Sequence, residues 1–243
     1  MAQERIAKRI AAAGLCSRRE AERWIAAGRV SVNGTVLESP AVTVGEADTI
    51  TVDGKPLPGV SAPRLFRYHK PAGLVTSERD EQGRPTVFAA LPSEMPRVLS
   101  VGRLDLNSEG LLLLTTAGGL KRHLELPSTG WTRRYRVRVH GRVDPAALGR
   151  LAGGTEIDGV RYGSIQAKLD RQEGSNAWLT VALKEGKNRE VRRVLEQLGL
   201  SVNRLIRIGY GPFQLGDLPR GAVAEVPRKV MREQLGKNLV AAS

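Results

Sequence analysis

Apolar residues recur along the chain with two periods, and the switches between them mark its elements. Residues 4–13, ERIAKRIAAA, set Ile6 and Ile10 four apart with alanines between, which predicts an amphipathic helix that stops at Gly14. In SRREAERWIAAG, Ser17 stands three residues before Glu20. That is the spacing of a reciprocal cap, in which the hydroxyl accepts from a first-turn amide and the carboxylate reaches back, so a second helix should run to about Ala27 and end at Gly28. The period then becomes two. VSVNGTVL alternates about Asn33-Gly34, a turn pair whose residues both need positive φ, and DTITVDG leads to a second such pair, Asp53-Gly54. KPLPGVSAP, residues 55–63, holds three prolines in nine residues and predicts an extended linker. Beyond it, LFRYHK, RYRVRVHG, WLTVAL and LIRIGY read as strands, and the leucine run 111–114 as a buried strand. Helices are predicted after Asp144-Pro145, over NREVRRVLEQLG and from about Pro227, with a frayed tail after Leu235. Strands and helices do not alternate regularly, which favours an α+β fold over a doubly wound parallel sheet.

Charge changes the picture more than composition does. The 243 residues carry 38 Lys and Arg against 25 Asp and Glu, a net +13, and this excess favours a polyanionic partner over simple solubility. It is uneven: residues 1–29 hold seven cations and three acids, whereas residues 30–54 hold four acids and no base. The cations therefore fall on the two short helices, where Arg5, Lys8, Arg18, Arg19 and Arg23 are candidates to meet phosphates, the alternative being a solvated helical face. One cysteine, Cys16, and three scattered histidines, His69, His123 and His140, exclude an internal disulfide and a thiolate metal site. Phosphate-binding, dinucleotide, zinc-protease and serine-hydrolase motifs are absent, and so is any apolar run near the roughly 18 residues of a membrane helix. A reducing cytoplasm is the expected compartment.

Three segments hold residues suited to chemistry. SVGRLDLNSEGLLLLTT places Arg103 and Asp105 in a polar loop just before the leucine strand. A partly desolvated carboxylate and an ordinary surface Asp–Arg pair both fit that pattern. In WTRRYRVRVHGRV, Tyr135, Val137 and Val139 share one strand face, while Arg134, Arg136 and Arg138 share the other. An arginine face with an aromatic behind it suits nucleic acid, and equally a solubilised sheet face. KEGKNREVRRVLEQLG crowds Lys184, Lys187, Arg189, Arg192 and Arg193 around a helix start, where cations oppose the helix dipole. Arg192 lies beside the Val191, Leu195 and Leu198 stripe and is expected to face inward.

These segments and the N-terminal unit resemble the RsuA/RluB-type family of ribosomal RNA pseudouridine synthases over nearly the whole chain. RIAKRIAAAGLCSRREAERWIAAGRVSVNG resembles an S4 RNA-binding domain. RYHKPAGLVTS, GRPTVFAALP, GRLDLNSEGLLLLT, RRYRVRV and EGKNREVRRVLEQLGLSVNRLIRIGYG resemble, in order and spacing, the motifs of the catalytic domain. The resemblance implies an S4-like domain with its linker over residues 1–59. It implies a catalytic domain over 60–243, built on a mixed, largely antiparallel sheet with flanking helices. Asp105 would be the catalytic carboxylate and Tyr135 would stack on the target uracil. Arg192 would pair with Asp105 and hold it ionised, Arg103 would fill the gap left by the flipped nucleotide, and Leu205, in competition with Ile206 and Ile208, would wall the base pocket. Arg134, Arg136, Lys187 and Arg189 join the N-terminal cations as RNA contacts. Two departures stand out: Ala117 replaces the acid common after the leucine run, and His69 replaces the usual Asn before Lys-Pro.

The implied reaction breaks the N1–C1′ glycosidic bond, turns the uracil and rejoins it through C5. No atom enters or leaves, so no cofactor or metal is implied. Glycosidic cleavage builds positive charge on the sugar, which an ionised carboxylate stabilises or attacks, as in glycosidases. Extruding the base costs a few kcal/mol, of which Tyr135 stacking returns roughly 1–3 kcal/mol. The sequence does not name the group that takes the C5 proton; Tyr135 is one candidate. The expected substrate is large-subunit 23S rRNA, alone or in an assembling subunit, met by a monomer. The alternatives are small-subunit 16S rRNA, a glycosidase that releases the base, and a non-catalytic RNA-binding or ribosome-assembly factor.

Overall fold

The computed structural model describes residues 3–240. Its N-terminal part opens with β1 (Glu4–Arg5), α1 (Ile6–Ala12) and α2 (Arg18–Ala26), followed by β2 (Val30–Val32), β3 (Thr35–Val36), β4 (Thr43–Val44), β5 (Ile50–Val52) and β6 (Lys55–Pro56). β1 pairs with β4, and the other four form an antiparallel sheet in the order β3-β2-β5-β6. The Ser17 hydroxyl accepts from the Glu20 N–H at 3.1 Å, as its spacing predicted. Glu20 does not complete the reciprocal cap. Its carboxylate is taken by Arg23 one turn on, a charge-assisted bond that outcompetes a backbone amide. Both turn pairs have positive φ, Asn33 and Gly34 at 51° and 85°, Asp53 and Gly54 at 51° and 74°.

The second turn corrects the expected linker. It folds Lys55 and Pro56 back onto β5, and the Leu57 N–H donates to the Ile50 carbonyl at 2.9 Å. Pro56 is tolerated because β6 is an edge strand. The unpaired connection is therefore shorter than residues 55–63. Ile6, Ile10, Ala21, Ile25, Val30, Val44, Ile50 and Cys16 close a small core of their own.

The larger part follows as β7 (Leu65–Lys70), β8 (Leu99–Val101), β9 (Ser108–Thr115), α3 (Gly118–Glu125), β10 (Arg133–His140), α4 (Pro145–Arg150), a hairpin of β11 (Thr155–Ile157) and β12 (Val160–Tyr162), then β13 (Ile165–Glu173), β14 (Asn176–Leu183), α5 (Glu190–Gln197), β15 (Ser201–Tyr210), β16 (Phe213–Gln214), β17 (Val223–Glu225) and α6 (Arg228–Leu235). One sheet runs β13-β14-β10-β15-β9-β7-β17, with β8 on β9 and β16 on β15. Its pairs are antiparallel except β15–β9 at the centre, where Leu205 lies opposite Ser108. This is the mixed, largely antiparallel sheet expected of an α+β fold. Gly110 permits the parallel contact: its φ is 101°, and a Cβ there would stand 2.2 Å from the Arg207 carbonyl oxygen.

β9 is buried along its whole length because a core packs on each face. Leu112 and Leu114 join Tyr135, Val137, Val139 and the apolar stripe of α5. Leu111 and Leu113 join Leu120 and Leu124 of α3 and Met231 of α6. The tail does not fray at Leu235. Lys237–Leu239 form a 3-10 turn, and Val240 is buried in the second core, which anchors the segment after α6. α3 begins at Ala117 without a side-chain cap, in keeping with the missing acid there.

Candidate active site

Asp105 lies in the loop from β8 to β9, and that loop is fastened from several sides. Gly102, at φ 67°, opens the turn and donates its N–H to Glu125 Oε1 at 2.6 Å. The Leu104 carbonyl accepts from the Thr76 hydroxyl at 2.9 Å, and the Leu106 carbonyl from the Gly73 N–H at 2.8 Å. Beneath the loop, Lys70 at the end of β7 is fully buried. Its ammonium faces four carbonyl oxygens, those of Pro71, Asp105, Leu106 and Ser108, at 3.0, 3.2, 3.3 and 2.8 Å. Three N–H bonds are thus shared among four acceptors on three sides of the turn. Burial pushes Lys70 down to about 8, against the opposing pull of the Asp105 and Glu109 carboxylates.

The Asp105 side chain itself is half-buried and makes no hydrogen bond or ion pair among the described residues. It opens into a cavity of about 470 Å³, within the usual range for small-ligand sites. Leu205, brought opposite Ser108 by the parallel pair, lines it with Tyr135, Leu183 and Val191. Ile206 and Ile208 do not, since alternation turns them away. Arg103 stands exposed at one lip, and Lys187, Asn188, Arg189 and Glu190 form the other.

Arg192 departs from its expected role. It is buried and inward-facing, but it forms no ion pair with Asp105. Its guanidinium donates to the carbonyls of Val202 at 2.9 Å and Asn107 at 3.2 Å, which ties α5 to β15 and to the far end of the Asp105 loop. Burial and the nearby Arg189 push Arg192 below its ordinary pKa, while the Asp105 charge opposes them through space.

Sequence reasoning missed several cavity residues. Arg207 is buried, donates from Nε to the Leu111 carbonyl at 2.7 Å, and lines the cavity with Arg133 and Tyr210. Arg133 donates to the Tyr210 hydroxyl at 3.0 Å and lies over its ring. Glu190 is buried: one carboxylate oxygen accepts from the Lys187 N–H at 2.9 Å, the other has no partner, and burial raises its pKa. Lys70 and Arg207 carried a readable signal, because strand alternation puts each on the buried face beside Tyr68 and Leu205.

Only some of the expected RNA contacts lie beside this cavity. Lys8 and Arg18 line a neighbouring cleft of about 530 Å³ with Arg97, Arg122 and Lys121, and Lys121 also lines the Asp105 cavity. Arg5, Arg18 and Arg19 are exposed and have no ion pair among the described residues, whereas Lys8 pairs with Glu4 and Arg23 with Glu20. Lys187 and Arg189 are on the rim. Arg134 and Arg136 are exposed on the opposite face of β10 and do not line the cavity. Among the described residues no cluster of His, Cys, Asp or Glu is built to hold a metal, and no helix is long and apolar enough to cross a membrane.

A carboxylate without an internal partner, facing an aromatic and apolar slot rimmed by cations, suits a flat base on an anionic backbone. Similarity to known proteins points the same way. Residues 64–197 match the family model described as RNA pseudouridylate synthase, and residues 4–50 match the S4 domain. An RNA pseudouridine synthase of Rickettsia felis is 47% identical over 230 residues, covering 95% of this chain and 100% of the relative. The ribosomal large subunit pseudouridine synthase B of Shigella flexneri is 42% identical over 230 residues, covering 92% of this chain and 79% of the relative. A crystal structure of a pseudouridylate synthase superposes with a TM-score of 0.66 at 26% identity, covering 95% and 99% of the two chains. The chain belongs to the RNA pseudouridylate synthase family and carries an S4 domain at its N-terminus.

Proposed function

We propose that this pseudouridine synthase isomerises one uridine of large-subunit ribosomal RNA with Asp105 as its nucleophile. The observation that carries the reading is the unpartnered Asp105 carboxylate at the mouth of the cavity, on a loop clamped by Lys70. The large-subunit substrate is supported by relatives named for that subunit. Residues 1–59 are the RNA-binding unit with its connection, residues 60–243 the catalytic domain, and the enzyme meets the RNA as a monomer.

In this mechanism the target nucleotide leaves its stack and enters the cavity, its uracil against Tyr135 and Leu205. Arg103 occupies the place the base vacates. Asp105 supplies negative charge, or a bond, to C1′ as the N1–C1′ bond breaks. The uracil turns in the slot, C5 bonds to C1′, C5 gives up its proton and N1 gains one, with Tyr135 a candidate to take the C5 proton. Arg192 acts as a positioning residue, holding Asn107 and hence the Asp105 loop against β15.

Pseudouridine mapping of ribosomal RNA from cells with and without the gene tests this reading. One large-subunit uridine should lose its modification and regain it with the wild-type gene but not with Asp105→Asn, which still binds RNA. Wild-type turnover by that variant overturns Asp105 as nucleophile, and a changed position in the small subunit overturns the substrate.

A further inference from the structure

Strand β10 sends Tyr135, Val137 and Val139 into the core and leaves Arg134, Arg136 and Arg138 exposed on its other face. α4 and α5 pack on the Tyr135 side, whereas α3 and α6 cover the leucines of β9. The outer face of β13, β14 and β10 thus lacks a covering helix among the described residues. The register extends its charge across the sheet. Arg138 lies opposite Arg204 of β15 on one side and Trp178 of β14 on the other, and Trp178 lies opposite Arg171 of β13. Arg136 lies opposite Thr180, which lies opposite Lys168.

Acids neutralise part of this field. Glu173 pairs with Arg171, Glu109 with Arg204 and Arg220, and the Asp170 carboxylate accepts from the Thr180 hydroxyl at 2.8 Å between Arg136 and Lys168. Arg134, Arg136, Arg138 and Lys168 have no ion pair among the described residues. Like charges at neighbouring positions on one sheet face repel, so the free protein carries an unfavourable term that a polyanion removes. Successive outward side chains of a strand stand about 7 Å apart, a step comparable to that between phosphates along a nucleic-acid strand. The aromatic on this face is not offered as a stacking platform. Arg136 lies over the Trp178 ring at 4.7 Å, so the ring holds a guanidinium in place. The face thus presents fixed cations to a phosphate backbone and has little with which to read bases.

We propose that the outer face of β10, β14 and β13 docks the backbone of a structured RNA segment other than the stretch that delivers the target uridine. None of Arg134, Arg136, Arg138 or Lys168 lines the catalytic cavity, so the enzyme holds its RNA on both faces of one sheet. The inference rests on the reading that the substrate is a large RNA.

The test compares the full-length protein with a triple variant, Arg134→Gln with Arg136→Gln and Arg138→Gln. The probes are a full-length 23S transcript and a short uridine-containing hairpin. The triple variant should bind the transcript on the order of tenfold more weakly at physiological salt, with a log–log salt slope reduced by about 2, and keep its affinity for the hairpin. Lys168→Gln with Arg171→Gln should shift the transcript in the same direction by less, and it stands in if the triple variant does not fold. Wild-type affinity and slope for the transcript in both variants overturn the proposal, as does an equal loss on the hairpin. Unchanged RNA binding with weakened binding to phosphatidylglycerol vesicles overturns it in favour of a membrane surface. Binding is read without turnover, so a wild-type enzyme that modifies no uridine of the transcript or of the assembling large subunit overturns the substrate reading and leaves the docking result to be read by itself.

Discussion

The two lips of the Asp105 cavity are held in different ways. On one side, the Asp105 loop is held from within by Lys70, Thr76, Gly73 and Glu125, with Arg192 bonded to its Asn107 carbonyl. On the other, Lys184 to Arg189 form an exposed rim, interrupted only by the half-buried Glu185. That rim hangs on the Glu190 carboxylate and the Lys187 side chain, and Arg189 takes a left-handed φ of 52° without being a glycine. A group that meets a developing charge gains most when its position is settled before the substrate arrives. A rim that meets a variable RNA backbone instead adapts, and its ordering cost falls on binding. The Asp105 lip is held from the buried interior, and the rim by contacts at the surface.

The largest break in this contrast should come from Lys70→Met. Methionine fills the buried space but takes the ammonium away from the carbonyls of Pro71, Asp105, Leu106 and Ser108, of which Leu106 and Asp105 keep the N–H donors of Gly73 and Ser108. An unsatisfied buried acceptor costs about 1–3 kcal/mol, so denaturant unfolding should register a loss of about 2–4 kcal/mol. Single-turnover rates should fall by about 100-fold or more, because the carboxylate is no longer held in place. The wild type should also show a pH signature. Lys70 titrates near 8 when folded and near 10.5 in its ordinary state. Between those values the unfolded chain binds the proton more tightly, so this residue's contribution to stability rises with pH across the window. The rate should move oppositely, falling above pH 8 as the clamp loses its charge. A Lys70→Met enzyme that keeps the same alkaline limb would assign that limb to another group.

The motif GRLD marks Asp105 on this lip, whereas the clamp beneath it is marked by strand alternation. LFRYHK and RYRVRVHG read correctly as strands because one face of each is buried, and Ser17 and the two turn pairs were legible because their signals are local. The same alternation puts Lys70 beside Tyr68 and Arg207 beside Leu205, where a cation on a buried face marks an internal clamp. β13 escaped notice because it is an edge strand with a charged sequence and a bulge between Leu169 and Arg171. α3 escaped because it starts on Gly118-Gly119 with no capping side chain. Arg192 was readable as inward-facing, but its partners were not: Val202 and Asn107 contribute carbonyls, and every residue has one.

Arg192 gives an intermediate effect that separates two ways of supporting Asp105. If it acts by tying Val202 and Asn107 together, Arg192→Leu should lower the rate by about 10–100-fold and stability by about 2 kcal/mol. Arg192→Lys should then rescue little, because an ammonium cannot span two carbonyls with the planar fork of a guanidinium. If the through-space charge on Asp105 is what matters, the lysine variant should recover most of the rate. Measuring kcat and KM for both variants distinguishes the cases, and near-normal turnover by the leucine variant removes Arg192 from the machinery altogether.

Glu190→Gln probes the looser lip and should have the smallest effect. The amide oxygen of glutamine keeps the bond from the Lys187 N–H, so the rim retains its anchor. What disappears is a buried carboxylate with one oxygen unpartnered and its pKa raised by burial. The sign follows from the raised value: the folded state binds this proton more tightly than the unfolded chain, so the contribution to stability is fully present at acidic pH. It is lost as pH rises from the ordinary carboxylate range through the raised value. Gln does not titrate, so the variant should match the wild type in acid and exceed it at neutral pH, by no more than about 1 kcal/mol. Thermal unfolding across that range reads the difference. Binding of the short hairpin should change by less than about threefold, in keeping with a rim that adapts. A tenfold or larger loss of hairpin affinity in a stable variant would show that the second Glu190 oxygen meets the substrate, and that this lip is as preorganised as the one that carries Asp105.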